Sequence, residues 1–278
     1  MTDRTFSGGM AALELLQLDG NSELFGTFPD TSALVDLTKV TASGCSFTTA
    51  SKQSAALQHL DLSFNRLDSL PDLAACSQLR ILRLQNDKVS HWPPAGVATQ
   101  KCSGSTMLPR FQWTQIQQLV VSNNPLTVDA QQFADSLSYL DALVDLQAAN
   151  CSLFGAIMDF EVRKEKNDPC IDPTRPWVGF AGLRILDLSG NGLQAMQACP
   201  PGQLDQVLLG HNSLSSVAKC WLQSAPDTQG SLKVNALGNA WLHDHVSPAS
   251  DCASGTPELV ADSLLFKEVA RVRMFVRV

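Results

Sequence analysis

Residues 57–67 of the chain read LQHLDLSFNRL, which fits the pattern L-x-x-L-x-L-x-x-N-x-L. Leu60 and Leu62 alternate with polar residues, as in a short strand with one buried face. Asn65 follows where the chain leaves that strand, and an asparagine amide can satisfy backbone groups inside a turn. A single match of this kind could be chance, so the decisive question is whether the pattern repeats.

The same frame returns in order along the whole chain. The first apolar position of each repeat falls near residues 13, 37, 57, 79, 116, 143, 183, 204 and 232. Cysteine or aspartate replaces asparagine at some turns, and a small cysteine tolerates burial there. The predicted structural turn positions are Asn21, Cys45, Asn65, Asp87, Asn124, Cys151, Asn191 and Asn212. In the last repeat Ala240 holds this position. Tandem matches in order predict one solenoid domain over residues 1–278.

This pattern resembles the leucine-rich-repeat (LRR) family, and the resemblance covers nearly the whole chain. Residues 24–29 (LFGTFP) and 153–157 (LFGAI) are similar to plant-type extracellular repeats, whereas residues 67–71 (LDSLP) resemble the shorter intracellular and bacterial variant. The resemblance implies an α/β solenoid shaped as a horseshoe. A parallel β-sheet would line its concave face, with loops, 3-10 turns or short helices on its convex face.

Two repeat intervals exceed the family range of about 20–29 residues. They predict insertions at about 92–112 and 160–180, where the sequence is polar and rich in proline. Each insertion is either a tolerated surface loop or a loop that completes a binding site. Residues 256–278 are either a C-terminal cap, because Thr256-Pro257 is a typical helix start, or a truncated repeat. Because the first repeat begins within about a dozen residues of Met1 without a cysteine-rich cap, we expect a module of a larger protein.

The composition excludes several classes of partner. The chain is 44% apolar and 17% charged, which excludes a disordered protein. The net charge of −7 gives no attraction to nucleic acid or to an anionic membrane. No apolar run is long enough to predict a transmembrane segment, and the N-terminus lacks the apolar stretch of a secretory signal.

The resemblance implies that a protein or peptide ligand would contact the concave sheet. The residues that point outward there are those that alternate with the buried leucines. The candidate partner-binding residues are Gln17, Thr41, His59, Asp61, Arg83, Gln85, Val120, Ser122, Asp145, Gln147, Asp187, Gln206 and Leu208. The alternative is a solvated face that binds nothing.

No motif for catalysis, a cofactor or a metal is evident, so we expect a protein that is not an enzyme. Phosphate-loop, kinase and G-x-S-x-G signatures are missing from the sequence. His59, Asp61 and Ser63 lie side by side on one strand, whereas a catalytic triad needs groups that converge in space. His243 and His245 are only two candidate ligands, which is too few for a metal site.

The eight cysteines leave the compartment open. Cysteines in the insertions would suit disulfide bonds in an oxidising compartment, but without a signal peptide free thiols are the default. The plant-type repeats favour an extracellular or cell-surface location, with a cytoplasmic one as the alternative. We therefore expect a non-catalytic protein-binding module, part of the ectodomain of a receptor-like or secreted protein. The alternatives are an intracellular scaffold or regulatory subunit in signalling, or a structural subunit of a larger assembly.

Overall fold

The computed structural model describes residues 10–92, 99–101, 107–109, 114–137, 140–158, 180, 182–197, 204–217, 232–239 and 272–275. These residues form seventeen short strands and one helix. The strands in chain order are β1 (Leu15–Gln17), β2 (Phe25–Phe28), β3 (Lys39–Thr41), β4 (Ser46–Ala50), β5 (His59–Asp61), β6 (Ile81–Arg83), β7 (Thr99–Lys101), β8 (Met107–Pro109), β9 (Gln118–Val120), β10 (Asp145–Gln147), β11 (Phe154–Ile157), β12 (Ile185–Asp187), β13 (Gly192–Met196), β14 (Gln206–Leu208), β15 (Ser216–Val217), β16 (Leu232–Asn235) and β17 (Val272–Phe275). The helix is α1 (Ala130–Leu137).

The main sheet confirms the predicted parallel-sheet solenoid. It has ten strands in the order β1-β3-β5-β6-β9-β10-β12-β14-β16-β17, so each coil of the chain adds one strand. Every pairing in this sheet is parallel. The central residue of each three-residue strand from β3 to β14 in this sheet is buried in the core, and Leu60, Leu82 and Leu119 have no exposed surface. Burial of these apolar side chains between successive coils holds the stack together.

Smaller elements cover the other sides of the coils. Strands β2 and β4 form one small parallel sheet, and β11, β13 and β15 form another. Helix α1 begins after Asp129, whose carboxylate accepts hydrogen bonds from the backbone N–H groups of Gln131 and Gln132. This is the N-cap arrangement that satisfies free N–H groups at a helix start. The convex side therefore contains short strands as well as a helix.

The predicted insertion at about 92–112 contains an antiparallel pair, β7 with β8. Trp92, which we placed at its start, belongs to the solenoid instead, because it is only 6% exposed. Its indole N–H donates to the hydroxyl of Ser136 at 2.8 Å, and its ring packs on Phe133 with centroids 5.2 Å apart. Trp92 thus fixes the start of the insertion to α1.

The predicted frame of the last repeat is wrong by one residue. Strand β16 pairs Val234 with Val207 of β14, so Val234 rather than Asn235 takes the buried position. Asn239 is 4% exposed and fills the turn position that we assigned to Ala240. The regularly spaced leucines of this segment favoured the wrong frame, although the smaller Val234 and Ala236 fill the core.

The second predicted insertion and the predicted C-terminal segment lie largely outside the described residues. Of the insertion at about 160–180, only residue 180 is described, and the helix start at Thr256 is not. Strand β17 pairs in parallel with β16 and extends the main sheet by one strand.

Candidate functional site

The outward side of the main sheet carries a continuous row of side chains, which we name the central row. The strand register aligns its members directly across the sheet. The central row consists of Gln17, Thr41, Asp61, Arg83, Val120, Gln147, Asp187 and Leu208. A second row, two residues earlier on each strand, includes His59, Gln118, Asp145 and Gln206. Neighbouring strands lie about 4.8 Å apart, so each row is a continuous surface.

A hydrogen-bonded network crosses the middle of this face. The Arg83 guanidinium donates through Nε and Nη2 to Gln118 Oε1 at 3.1 and 2.8 Å. The amide of Gln118 donates in turn to the Asp145 carboxylate at 2.7 Å. Gln147 donates to the same carboxylate at 3.1 Å, and Asp61 lies 3.9 Å from Arg83 Nη1. The network spans four strands and holds long polar side chains in fixed positions.

The aspartates near the N-terminal half of the face are also held in place. Asp61 accepts hydrogen bonds from the backbone N–H and the hydroxyl of Ser63. Asp19 accepts from the Thr41 hydroxyl at 2.7 Å and from the Ser43 N–H at 2.8 Å. Burial raises the pKa of Asp19, but these hydrogen bonds outweigh it and the net pKa is lowered. Asp187 repeats the Asp61 arrangement, accepting from the N–H and hydroxyl groups two residues further on.

His59 lies at the edge of the network and is half-buried. Burial lowers its pKa, and the nearby Lys39 and Arg83 lower it further. Its Nε2 atom is buried and makes no hydrogen bond within the described residues. The Ser63 hydroxyl donates to the Asp61 carboxylate and forms a hydrogen bond with the Ser43 hydroxyl. Ser43, Asp61 and Ser63 therefore link neighbouring strands of the sheet.

The remaining candidate residues differ in the surface they offer. Val120 is only 6% exposed, so its side chain adds little contact area to the central row. Gln206 and Leu208 on β14 are half-buried, as are Gln85 and Ser122 just past their strands. The Gln118 side chain, which links Arg83 to Asp145, was missing from the candidate set because sequence gives no sign of such a link.

The turn positions form a second ordered array beside the sheet. Asn191 is 9% exposed, and its Nδ2 donates to the carbonyl oxygens of Ala148 and Leu188. Its Oδ1 accepts from the N–H groups of Cys151 and Leu153 in the preceding coil. Equivalent bonds occur at the other buried asparagines of the array. These are Asn65, Asn124, Asn212 and Asn239.

A column of left-handed residues precedes the turn positions, and sequence reasoning missed it. The column comprises Gly20, Gly44, Phe64, Asn86, Asn123, Asn150, Gly190, His211 and Gly238, all with positive φ. Glycine and asparagine dominate because they adopt this conformation at low cost. A glycine or asparagine directly before most of the turn positions was the sequence feature that could have revealed this column. Phe64 departs from the pattern, with a φ of 56° and a side chain that is 54% exposed.

The described residues contain neither a cluster of metal ligands nor a helix that could span a membrane. Among them no group of three or more His, Cys, Asp or Glu side chains is placed to hold a metal ion. His243 and His245 lie outside this part of the chain. The helical segments that the structure describes include none with the length and hydropathy of a membrane span.

The comparisons with known proteins agree with this architecture. Residues 56–76 match the family model described as Leucine Rich Repeat. The structure of an LRIM1/APL1C complex is 17% identical, with 96% of this chain and 42% of that chain covered at a TM-score of 0.50. YopM from Yersinia enterocolitica is 18% identical, and the match covers 76% of this chain and 48% of that chain at a TM-score of 0.32. A TDR receptor is 16% identical, and the match covers 84% of this chain and 42% of that chain at a TM-score of 0.41.

No curated protein sequence matches the chain. The chain spans less than half the length of each of these three solved structures. Its parallel-sheet solenoid is the leucine-rich-repeat fold, and residues 56–76 are the repeat that the family model matches. Domains of this type typically bind other proteins on their extended sheet surface and are usually not enzymes.

Proposed function

We propose that this chain is a non-catalytic protein-binding module, and that its concave sheet face recognises a protein or peptide ligand. The observation that carries this proposal is the Arg83–Gln118–Asp145–Gln147 network on the outward side of the sheet. Side chains held in place before binding lose less conformational entropy when a partner docks. An extended face of this kind fits a macromolecule better than a small cofactor, which usually occupies a concave pocket.

The charges on the face favour a partner that carries both signs. Arg83 and Lys39 stand among the carboxylates of Asp19, Asp61 and Asp187, so a partner must match an alternating pattern. Charge patterns of this kind contribute mainly to partner selection and to the association rate. The proposed binding set is the central row together with His59, Gln85, Ser122, Asp145 and Gln206.

We place the module in a receptor-like or secreted protein, at the cell surface or outside the cell. The plant-type repeats at residues 24–29 and 153–157 support this location, and β2 and β11 form there. An intracellular scaffold or regulatory subunit, or a structural subunit of an assembly, is the competing proposal. The thiols of Cys45, Cys76 and Cys151 are free and buried, which either location permits.

A charge-exchange variant tests the binding face. The double variant Arg83→Glu with Asp187→Lys reverses two charges of the central row without changing the net charge. We expect affinity capture with the wild-type chain to retain a partner that this variant loses. A control, Asp68→Lys with Lys88→Glu, exchanges exposed charges beyond the turns and should retain it. Unchanged capture by the central-row variant would show that the concave face is not used.

Alkylation tests the location separately. The chain is denatured without reductant, treated with a thiol reagent and analysed by mass spectrometry. Disulfides among the loop cysteines would leave fewer than eight alkylated residues, as an extracellular module predicts. Eight alkylated cysteines in protein isolated from its native compartment would exclude the extracellular proposal and leave the binding proposal intact.

A further inference from the structure

Each buried turn position of the solenoid needs both a hydrogen-bond acceptor and a donor. The Oδ1 atom of Asn65 accepts from the N–H of Phe47 at 3.0 Å. Its Nδ2 atom donates to the carbonyl oxygens of Ala42 and Leu62 at 2.8 and 2.7 Å. Asn124 makes the same three kinds of bond in its own coil. The position therefore faces two backbone carbonyl oxygens, and an amide at this position donates to both.

Cysteine meets the same requirement where it replaces asparagine. The thiol of Cys45 donates to the carbonyl of Leu18 at 3.2 Å. The thiol of Cys151 donates to the carbonyl of Val121 at 3.2 Å. Burial raises the pKa of Cys151 to about 12, so this thiol keeps its proton at neutral pH. A neutral donor is thus retained at both positions.

Asp87 occupies the same position without an obvious donor. It is only 7% exposed, and its Oδ1 accepts from the N–H of Leu67 at 3.0 Å, as the asparagines do. Its Oδ2 is buried and has no hydrogen-bond partner among the described residues. By its place in the coil, Asp87 faces the carbonyl oxygens of Leu62 and Leu84, which also accept from Asn65 and Asn124. An ionised carboxylate would face those carbonyl oxygens with a charge of the same sign as theirs.

We propose that Asp87 carries a proton in the folded coil and donates a hydrogen bond through it to one of these carbonyl oxygens, so that the coil is a pH-sensitive element of the solenoid. In this state the carboxylic acid reproduces an asparagine side chain, with one accepting and one donating oxygen. Loss of the proton removes the donor and places a buried negative charge beside the carbonyls. The coil between β5 and β9 is then weakened, and this coil carries Arg83.

The net effect of the surroundings of Asp87 is to favour its protonated form. Burial raises its pKa to about 7, the N–H groups of Leu67 and Asn65 lower it, and the charge of Asp61 on the preceding strand raises it. Arg66, Asp68 and Lys88 in the adjoining turns are exposed to solvent. The following coil presents Ser122, Asn123 and Asn124 at this level, and none of these titrates. An aspartate in the unfolded chain titrates near 3.9, so between about 4 and 7 only the folded chain holds the proton.

The sign of the pH effect follows from this difference. Because the folded state binds the proton more tightly, the stabilisation is complete at low pH and is lost as the pH rises to about 7. The pH at which the coil weakens also depends on Asp61. If a cationic group of a partner binds Asp61, as the proposed function allows, the pKa of Asp87 falls and proton release is coupled to binding.

The test compares the urea unfolding of the wild-type chain with that of Asp87→Asn from pH 5 to pH 9. Asparagine supplies the donor at every pH. We expect the unfolding constant of the wild type, relative to this variant, to rise about tenfold per pH unit up to about 7 and then to level off. A ratio that stays constant across this range would overturn the proposal. No partner is present in this measurement, so its outcome is independent of the proposed binding function.

Two further variants separate protonation from a general change in stability. Asn124→Asp places a second carboxyl at an equivalent position. Its free energy of unfolding should fall more steeply than that of the wild type as the pH rises over the same range. Asp61→Asn should shift the wild-type transition to lower pH, because a neighbouring negative charge is removed. The carboxyl carbon-13 signal of Asp87, assigned in the wild-type chain through its coupling to the Cβ protons of the same residue, should titrate near pH 7. Titration of that signal near pH 4 would contradict the proposal even if the variants fail to fold.

Discussion

Replacement of Asn191 by alanine tests the energetic role of the buried turn array. The side chain makes four buried hydrogen bonds to backbone groups, donating to Ala148 and Leu188 and accepting from Cys151 and Leu153. A fifth, partly buried bond joins its Nδ2 to the carbonyl oxygen of Ser189 at 3.2 Å. Leaving a buried polar group unpaired costs about 1–3 kcal/mol, although water can fill part of the space left by the amide. Taking about 1 kcal/mol for each of the four buried bonds, we expect the variant to lose about 4 kcal/mol of unfolding free energy.

The first repeat provides a matched control. Asn21 holds the same position and donates to the carbonyl of Leu18 at 2.7 Å, but it is exposed. Water can replace its bonds, so Asn21→Ala should cost under about 1 kcal/mol. Urea unfolding followed by circular dichroism gives both values. If the two variants differ from the wild type by similar amounts, hydrogen bonds to buried backbone groups do not stabilise the coils as argued.

Three further predictions concern single side chains. Gly190→Ala should cost about 2 kcal/mol in unfolding free energy, because a methyl group would overlap the Asn150 amide and φ is +66°. Gly20→Ala has open space around the added methyl group and should cost less. Equal losses of unfolding free energy in the two variants would contradict this prediction. Trp92→Phe should cost about 1–2 kcal/mol in thermal unfolding by removing the hydrogen bond to buried Ser136, and an unchanged melting temperature would show that the bond contributes nothing. Burial raises the pKa of Cys76 to about 12, so peptide mapping should show its alkylation at pH 8 only after unfolding, and rapid alkylation in the native state would refute its burial.

The sequence predicts the sheet well because the period-two alternation leaves little freedom. Once Leu60 and Leu62 face the core, Asp61 must point outward, and the parallel register then places it beside Arg83. The last repeat shows the limit of this reasoning. There the small Val234 and Ala236 fill the core, whereas leucine spacing alone favours a frame shifted by one residue.

The contacts between coils could not be predicted from the sequence. Arg83 and Gln118 are 35 residues apart in the chain and meet only because their strands are neighbours. The orientation of their side chains depends on rotamers that the repeat pattern does not specify. The chemistry of Asp87 is hidden for a similar reason, because an aspartate at an asparagine position is unusual only when its second oxygen is buried.

The central claim, that the sheet face is the binding surface, is tested most directly by site-specific photo-crosslinking. A benzoylphenylalanine residue replaces Gln206, which lies on the sheet face, or Gln194, which lies on β13 and is exposed on the other side of the coil. We predict that a captured protein partner crosslinks to position 206 and not to position 194. Crosslinking only from position 194 would contradict the proposed binding face, because the partner would then contact the small sheet that contains β13.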